Sequence, residues 1–310
     1  MRIGVDLGGT KIEAIVLDDD GAERVRRRID SPQGSYHATI DAIAGLVSAV
    51  AEETDCRKDL GVGIGIPGAT SPETGNVKNA NSTWLIGHPL DRDLTDALAR
   101  PVRIANDANC FAVSEATDGA GANYGMVFGI ILGTGVGGGI AIDGRTHTGI
   151  NAIAGEWGHN PLPWPQNGDG VNEHAGPTCY CGKQGCIETF LSGPALSRDY
   201  AAAGGAALSA SDIAARADTG DALATAAIHR YAHRLARALS SVINILDPDA
   251  IIVGGGLSNL SEIYKVVPEM LNRFVFSDVC TTPFLPNKHG DSSGVRGAAW
   301  LFPPTTSESA

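Results

Sequence analysis

Cys179, Cys181 and Cys186 place three thiols within eight residues, and His159 lies 20 positions before the first of them. One imidazole and three thiolates form a closed tetrahedral Zn²⁺ site, of the kind that braces a loop and takes no part in reaction. The same spacing admits a disulfide with a spare thiol, or plain buried cysteines, although a reducing compartment disfavours the disulfide. Cys56, Cys110 and Cys280 are isolated and read as core thiols. Glu156 and Glu188 flank the cluster. Each reads either as a surface acid or, if a clamp on His159 and Cys186 holds the two close, as part of a rigid polyol-binding wall. His159 can then serve twice, one ring nitrogen on the metal and the other donating to a sugar hydroxyl.

Asp107 stands where an apolar run, residues 101–105 (PVRIA), gives way to a helical pattern at 108–117. Asp is a good helix N-cap. A carboxylate at the end of a strand can also act as general base, taking the proton of a sugar hydroxyl as its oxygen attacks a γ-phosphate. Asn106 beside it offers a donor and an acceptor to orient such hydroxyls. Two glycine turns accompany this pair. Gly8-Gly9-Thr10-Lys11 joins β-like runs at 3–7 and 12–17, and the glycine-rich stretch 133–138 joins runs at 126–132 and 139–142. Such turns permit tight reversal. Facing each other, they can also grip a polyphosphate by backbone N–H groups, with Thr10 and Thr134 alongside. Asp6, just before the first turn, fits a Mg²⁺ ligand acting through water. The stretch 133–138 satisfies G-x-G-x-x-G, but a dinucleotide fold needs a helix to start there, whereas GIAIDG follows and reads as a strand. No P-loop pattern is present.

The elements that must position these groups alternate between strand and helix. Residues 37–53 carry helical spacing at Ile40, Ile43, Leu46, Val47 and Val50. Residues 61–66 read as a strand, 221–246 as a long amphipathic helix stopped by Pro248, and 250–253 as a strand entering Gly254-Gly255-Gly256, with a helix expected next. Two glycine-hinged hairpins 125 residues apart suggest duplication of one α/β unit, with a cleft between two lobes. The predicted lobes are 1–116, with a helix at about 294–303 packing back on it, and 117–293, which carries the zinc loop 159–186. A disordered tail is expected at 304–310.

Composition agrees with a globular α/β protein: 310 residues, 43% hydrophobic, 19% charged and a net charge of −12. That length is about two domains. Without a basic face the chain is not expected to neutralise nucleic-acid phosphates or an anionic membrane. No apolar run approaches a membrane span, and an acid at position 6 spoils a secretory signal, so a cytoplasmic location is expected.

DLGGTK at 6–11, ANDANC at 105–110, LGTGVGGG at 132–139, GEWGHNPLP at 155–163 and CYCGKQGCIE at 179–188 together resemble the sugar kinases of the ROK family, within the actin-like, hexokinase-type ATPase superfamily. The resemblance runs from Ile3 to about Phe302. VKNANSTWL at 77–85, NPLPW at 160–164 and KHGDSSGVRGAAWL at 288–301 make the fructokinase/mannokinase type the most similar. The resemblance implies ATP- and Mg²⁺-dependent phosphorylation of a hexose with Asp107 as base. Fructose giving fructose 6-phosphate is expected first, with mannose also possible. N-acetylglucosamine, N-acetylmannosamine or glucose are the alternative acceptors, and a non-catalytic sugar sensor is the rival from another class. By the same resemblance the sugar is held by Asn81, Asn106, Asp107, Glu156, His159 and Glu188. The phosphates are met by Gly8, Gly9, Thr10, Lys11, Gly133, Thr134 and Gly135, and the adenosine by Gly254, Gly255 and Gly256. The stretch between His159 and Cys179 is longer and more polar than the tightest family patterns. Many family members carry an N-terminal winged helix, whereas this chain opens at the first strand. Dimers are frequent among similar kinases.

Overall fold

The computed structural model describes residues 1–168, 171–290 and 293–302. Within them the chain forms two compact units. One comprises Met1–Asn123, Gly139–Ala154 and the described part of Asp291–Ala310; the other comprises Tyr124–Gly138 and Gly155–Gly290.

In the first unit, β1 (Arg2–Leu7), β2 (Lys11–Leu17) and β3 (Glu23–Asp30) make an antiparallel meander. After α1 (Tyr36–Glu53), β4 (Val62–Ile66) pairs in parallel with β1. A short hairpin, β5 (Ala69–Thr70) and β6 (Val77–Lys78), and α2 (Leu90–Leu98) follow. Then β7 (Val102–Asn106) pairs in parallel with β4 and runs straight into α3 (Asp107–Thr117). The sheet order is β3-β2-β1-β4-β7. The apolar stripe of α1, Ile40, Ile43, Leu46, Val47 and Val50, is buried on this sheet, and Ser35 caps the helix by accepting from Ala38 N–H at 3.3 Å.

The second sheet is visited in the same order. It takes β8 (Met126–Leu132), β9 (Val136–Ile142) and β10 (Arg145–Thr146) first. Next come the two-residue strands β11 (Asn167–Gly168) and β12 (Val171–Asn172), then α4 (Glu188–Leu191), α5 (Gly193–Ala202), α6 (Ala210–Asp218) and α7 (Ala222–Leu246). Finally β13 (Ala250–Gly254), α8 (Ile263–Leu271) and β14 (Phe284–Pro286) complete the order β10-β9-β8-β13-β14, with β13 parallel to both β8 and β14. A last helix, α9 (Ser293–Trp300), belongs to the first unit and packs on α3, β1 and β4.

Several expectations need correction. The second glycine turn is only Gly133–Gly135, because β9 takes in Gly137 and Gly138 as well as the expected Gly139. Close backbone approach accounts for Gly138 and Gly139: a Cβ on the first would come within 2.6 Å of Gly155 O, and one on the second within 2.3 Å of Ala108 O. That contact with α3 also draws 139–154 into the first unit, so a single boundary at 116/117 does not describe the chain. A 3₁₀ turn, Gly256–Asn259, follows Gly255 before α8 starts. The loop between His159 and Cys179 is tethered to α7. Buried Arg237 donates to Pro163 O (3.2 Å), Trp164 O (2.5 Å) and Glu173 (2.7 Å), while Glu173 also accepts from Arg234 at 2.7 Å. The expected disordered tail at 304–310 lies outside the described residues.

Candidate active site

The predicted residues fall into one set on each unit. In the first, β1 and β7 bring Asp6 and the Asn106-Asp107 pair to the C-terminal edge of a parallel core, where β4 lies between them (Asp6 opposite Gly65, Ile66 opposite Asn106). Asn106 is the N-cap of α3. Its Oδ1 accepts from Ala108 N–H at 2.9 Å and its amide donates to Gly68 O at 3.0 Å, so both ends of the side chain are fixed. Asp107 is exposed and also accepts from Ala108 N–H, at 2.8 Å. Capping and outward presentation of a carboxylate therefore coincide at these two positions.

Asp6 lies beneath. A Cβ on Gly65 would come within 3.4 Å of its Oδ1 and one on Gly294 within 3.7 Å of its Cγ, so α9 and β4 leave it a close-fitting seat. Burial, then the charges of Asp107 and Glu13, push its carboxyl from 3.8 up to about 7, with Arg28 opposing. A divalent cation beside it would reverse that balance. Because the folded-state value is the higher one, this group's stabilisation is complete below about pH 4 and is lost as pH rises towards 7. Asp6→Asn is expected to remove this decline and stabilise the Mg²⁺-free protein at pH 8 by roughly 2–4 kcal/mol. Urea unfolding at pH 5 and pH 8 checks it; an undiminished decline in the variant would refute the assignment.

Gly8 N–H donates to Lys11 O at 2.9 Å, closing the first turn, and Lys11 is ion-paired with Asp30. Asn81 is exposed on the bend that precedes a 3₁₀ turn at Thr83–Leu85. Its neighbour Ser82 was passed over by sequence reasoning. Ser82 is 1% exposed, its hydroxyl lacks a partner among the described residues, and that oxygen lies 3.7 Å from where a Cβ on Gly9 would stand.

In the second unit, Gly133–Gly135 and Gly254–Gly256 sit at the C-terminal ends of β8 and β13, which are adjacent and parallel. Gly255 takes φ +79°, and a Cβ there would come within 2.5 Å of Leu132 O, so glycine is required where the two turns meet. A cavity of about 170 Å³ lies beyond, lined by Asp218 of α6, Thr225 and Ile228 of α7, and Asn259, Ser261 and Glu262.

His159, Cys179, Cys181 and Cys186 converge, their ligating atoms all within 4.8 Å of one another. Cys179 Sγ is 3.6 Å from His159 Nδ1, and Cys181 Sγ is 3.6 Å from Cys186 Sγ. Zn–S and Zn–N bonds of about 2.3 and 2.0 Å put tetrahedral ligand atoms about 3.5–3.8 Å apart, so the donor set fits zinc. The cysteines are not disulfide-bonded. Burial, followed by Cys181 and Cys179, pushes the Cys186 thiol up to about 12, which a bound cation would reverse. The second nitrogen of His159 meets Tyr180 OH at 2.9 Å. Tyr180, another group the sequence reasoning did not single out, is raised to about 12 by desolvation and then by Glu188 and Glu156, which places both carboxylates in its field. Glu156 itself is exposed.

Residues 2–304 match the ROK family, and the chain belongs to it. The fold is the two-unit α/β fold of actin-like, hexokinase-type proteins. An N-acetyl-D-glucosamine kinase of Escherichia coli is 41% identical over 302 residues, covering 97% of this chain and 99% of that protein. The ROK hexokinase of Thermus thermophilus superposes with a TM-score of 0.83 at 28% identity, covering 97% of each chain. A ROK glucokinase from Streptomyces griseus, solved in complex with glucose and AMPPNP, gives 0.76 at 30% identity over 97% of this chain and 98% of its own. The expected preference for fructose finds no support among these proteins; the first is named for an acceptor expected only as an alternative. No described helix is long and apolar enough to cross a membrane.

Proposed function

We propose that this protein is an ATP-dependent sugar kinase whose acceptor is N-acetyl-D-glucosamine. The observation that carries the chemistry is the pairing of seated Asp6 with outward-facing Asp107 at the C-terminal edge of one parallel core. The acceptor rests on the 41% identity, which spans nearly the whole of both chains.

Asp107 takes the proton of the sugar's primary hydroxyl as that oxygen attacks the γ-phosphorus, and the bond to the ADP oxygen breaks. The products are the sugar 6-phosphate and ADP. Asn81, Asn106, which is rigid at both ends, Glu156 and Glu188 are the residues to which this reading gives the sugar hydroxyls, and His159 joins them only if its Nε2 leaves Tyr180 OH. The turns Gly8–Lys11 and Gly133–Gly135 offer N–H groups to the phosphates, and Gly254–Gly256 with the cavity beyond Asn259 seats the adenosine. Asp6 would hold Mg²⁺ through water, and the bound ion would supply charge neutralisation at the phosphates. His159, Cys179, Cys181 and Cys186 would hold a Zn²⁺ ion, which with four protein ligands would brace the loop and take no part in the reaction.

ADP release in the presence of Mg²⁺, measured across N-acetyl-D-glucosamine, N-acetyl-D-mannosamine, glucose, mannose and fructose, tests the reading. The highest kcat/KM is expected on N-acetyl-D-glucosamine. A maximum on fructose would restore the sugar first expected, and sugar binding without ADP release would make the protein a sensor. Metal analysis is expected to find about one zinc per chain. Cys181→Ser is expected to lose it together with activity; full activity in the metal-free variant would remove the bracing role.

A further inference from the structure

We infer that Glu188 is a positioning residue for the Gly133–Gly135 turn, and through it for the nucleotide phosphates, beyond any contact with the sugar. The inference rests on the kinase reading above. Glu188 Oε2 accepts from the Val136 backbone N–H at 3.0 Å, at the point where the turn enters β9. The same oxygen would stand 2.7 Å from a Cβ on Gly135, so the carboxylate lies directly against the turn. Two further bonds fix this loop: Gly133 N–H donates to Gly135 O at 3.0 Å, and Gly193 N–H, at the start of α5, donates to Gly133 O at 2.7 Å.

Of these three restraints, only the one from Glu188 is made by a side chain. Glu188 opens α4 two residues after Cys186, and its other oxygen lies 4.0 Å from Cys179 Sγ. One carboxylate therefore spans the distance between the thiol cluster and the glycine turn. An N–H already committed to Glu188 is not the one that meets a phosphate; the bond instead holds the remaining turn N–H groups in place. Loss of the bond loosens the turn while leaving the sheet and the cluster intact.

The experiment compares Glu188→Ala with Glu188→Gln, whose amide oxygen can still accept from Val136. Two quantities are read: hydrogen exchange at the Val136 amide and the affinity for the ATP analogue AMPPNP with Mg²⁺. Loss of a hydrogen bond to a charged acceptor predicts that Glu188→Ala exchanges Val136 about 10-fold or more faster and binds AMPPNP about 10-fold more weakly, with Glu188→Gln within about 3-fold of the parent in both. Gly135→Ala is the second variant. Its methyl displaces the carboxylate and is expected to raise Val136 exchange with Glu188 still present. Unchanged Val136 exchange in Glu188→Ala overturns the inference. So does faster exchange with unchanged AMPPNP affinity and a loss confined to N-acetyl-D-glucosamine binding. Failure of the parent protein to bind AMPPNP would sink the kinase reading instead, while Val136 exchange still decides whether Glu188 holds the turn.

Discussion

Asp107→Asn is expected to lower kcat by about 10²–10⁴-fold, the range for loss of a positioned general base, with sugar affinity within a few-fold of the parent. The substitution keeps the size and shape of the side chain but removes its basic oxygen and its charge, one of the charges that raise the Asp6 carboxyl. Asn caps a helix as well as Asp does, and Ala108 N–H keeps an acceptor at Asn106 Oδ1 whatever stands at 107. Stability should therefore hold, and the loss should fall on kcat and leave the sugar KM nearly unchanged. Turnover measured at saturating ATP, beside calorimetric sugar binding, separates the two. Near-parental turnover would remove Asp107 from the reaction, and a lost sugar affinity would make it a binding residue alone.

The largest effect on stability is expected from Gly297→Ala, at about 4 kcal/mol or more. A Cβ at position 297 would stand 1.7 Å from Cys110 O, which is backbone and has no rotamer to escape into. Nearby glycines on the strands repeat the pattern: a Cβ on Gly63 would meet Ala298 O at 1.8 Å, and one on Gly4 would meet Val295 O at 2.4 Å. α9 thus lies against α3, β1 and β4 with backbone touching backbone. Cys110 is one turn into the helix that Asp107 begins, and Gly294 abuts Asp6, so forcing α9 outward disturbs both carboxylates. Urea denaturation of Gly297→Ala should show a lowered midpoint with unchanged slope. A shift equivalent to less than about 1 kcal/mol would mean that the two helices separate freely.

Periodicity made some of this structure legible and left other parts silent. α1 and α7 were readable because their apolar stripes recur at helical spacing, and β1, β4, β8 and β13 because buried parallel strands are almost wholly apolar. β3 was not readable. Its sequence ERVRRRID offers little apolar alternation, since Arg26 and Arg28 are held on Glu13 and Arg27 on Glu53, ion pairs whose partners are distant in sequence. Gly138 misled for a related reason: a strand glycine tolerating a close neighbour looks, without the neighbour, like a turn. At the candidate site, residue types gave the thiol cluster and the acidic pair. The bond from Glu188 to Val136 joins positions 52 apart and has no local signature.

The placement of α9 bears on synthesis. The first unit's sheet is exposed on the nascent chain early, yet the helix that covers part of it is the last described element to be translated. Translation at about 5–20 residues per second leaves the apolar faces of β1 and β4 uncovered while all of the second unit emerges. Synthesis of α9, rather than completion of β7 and α3, is then the event that lets the first unit close.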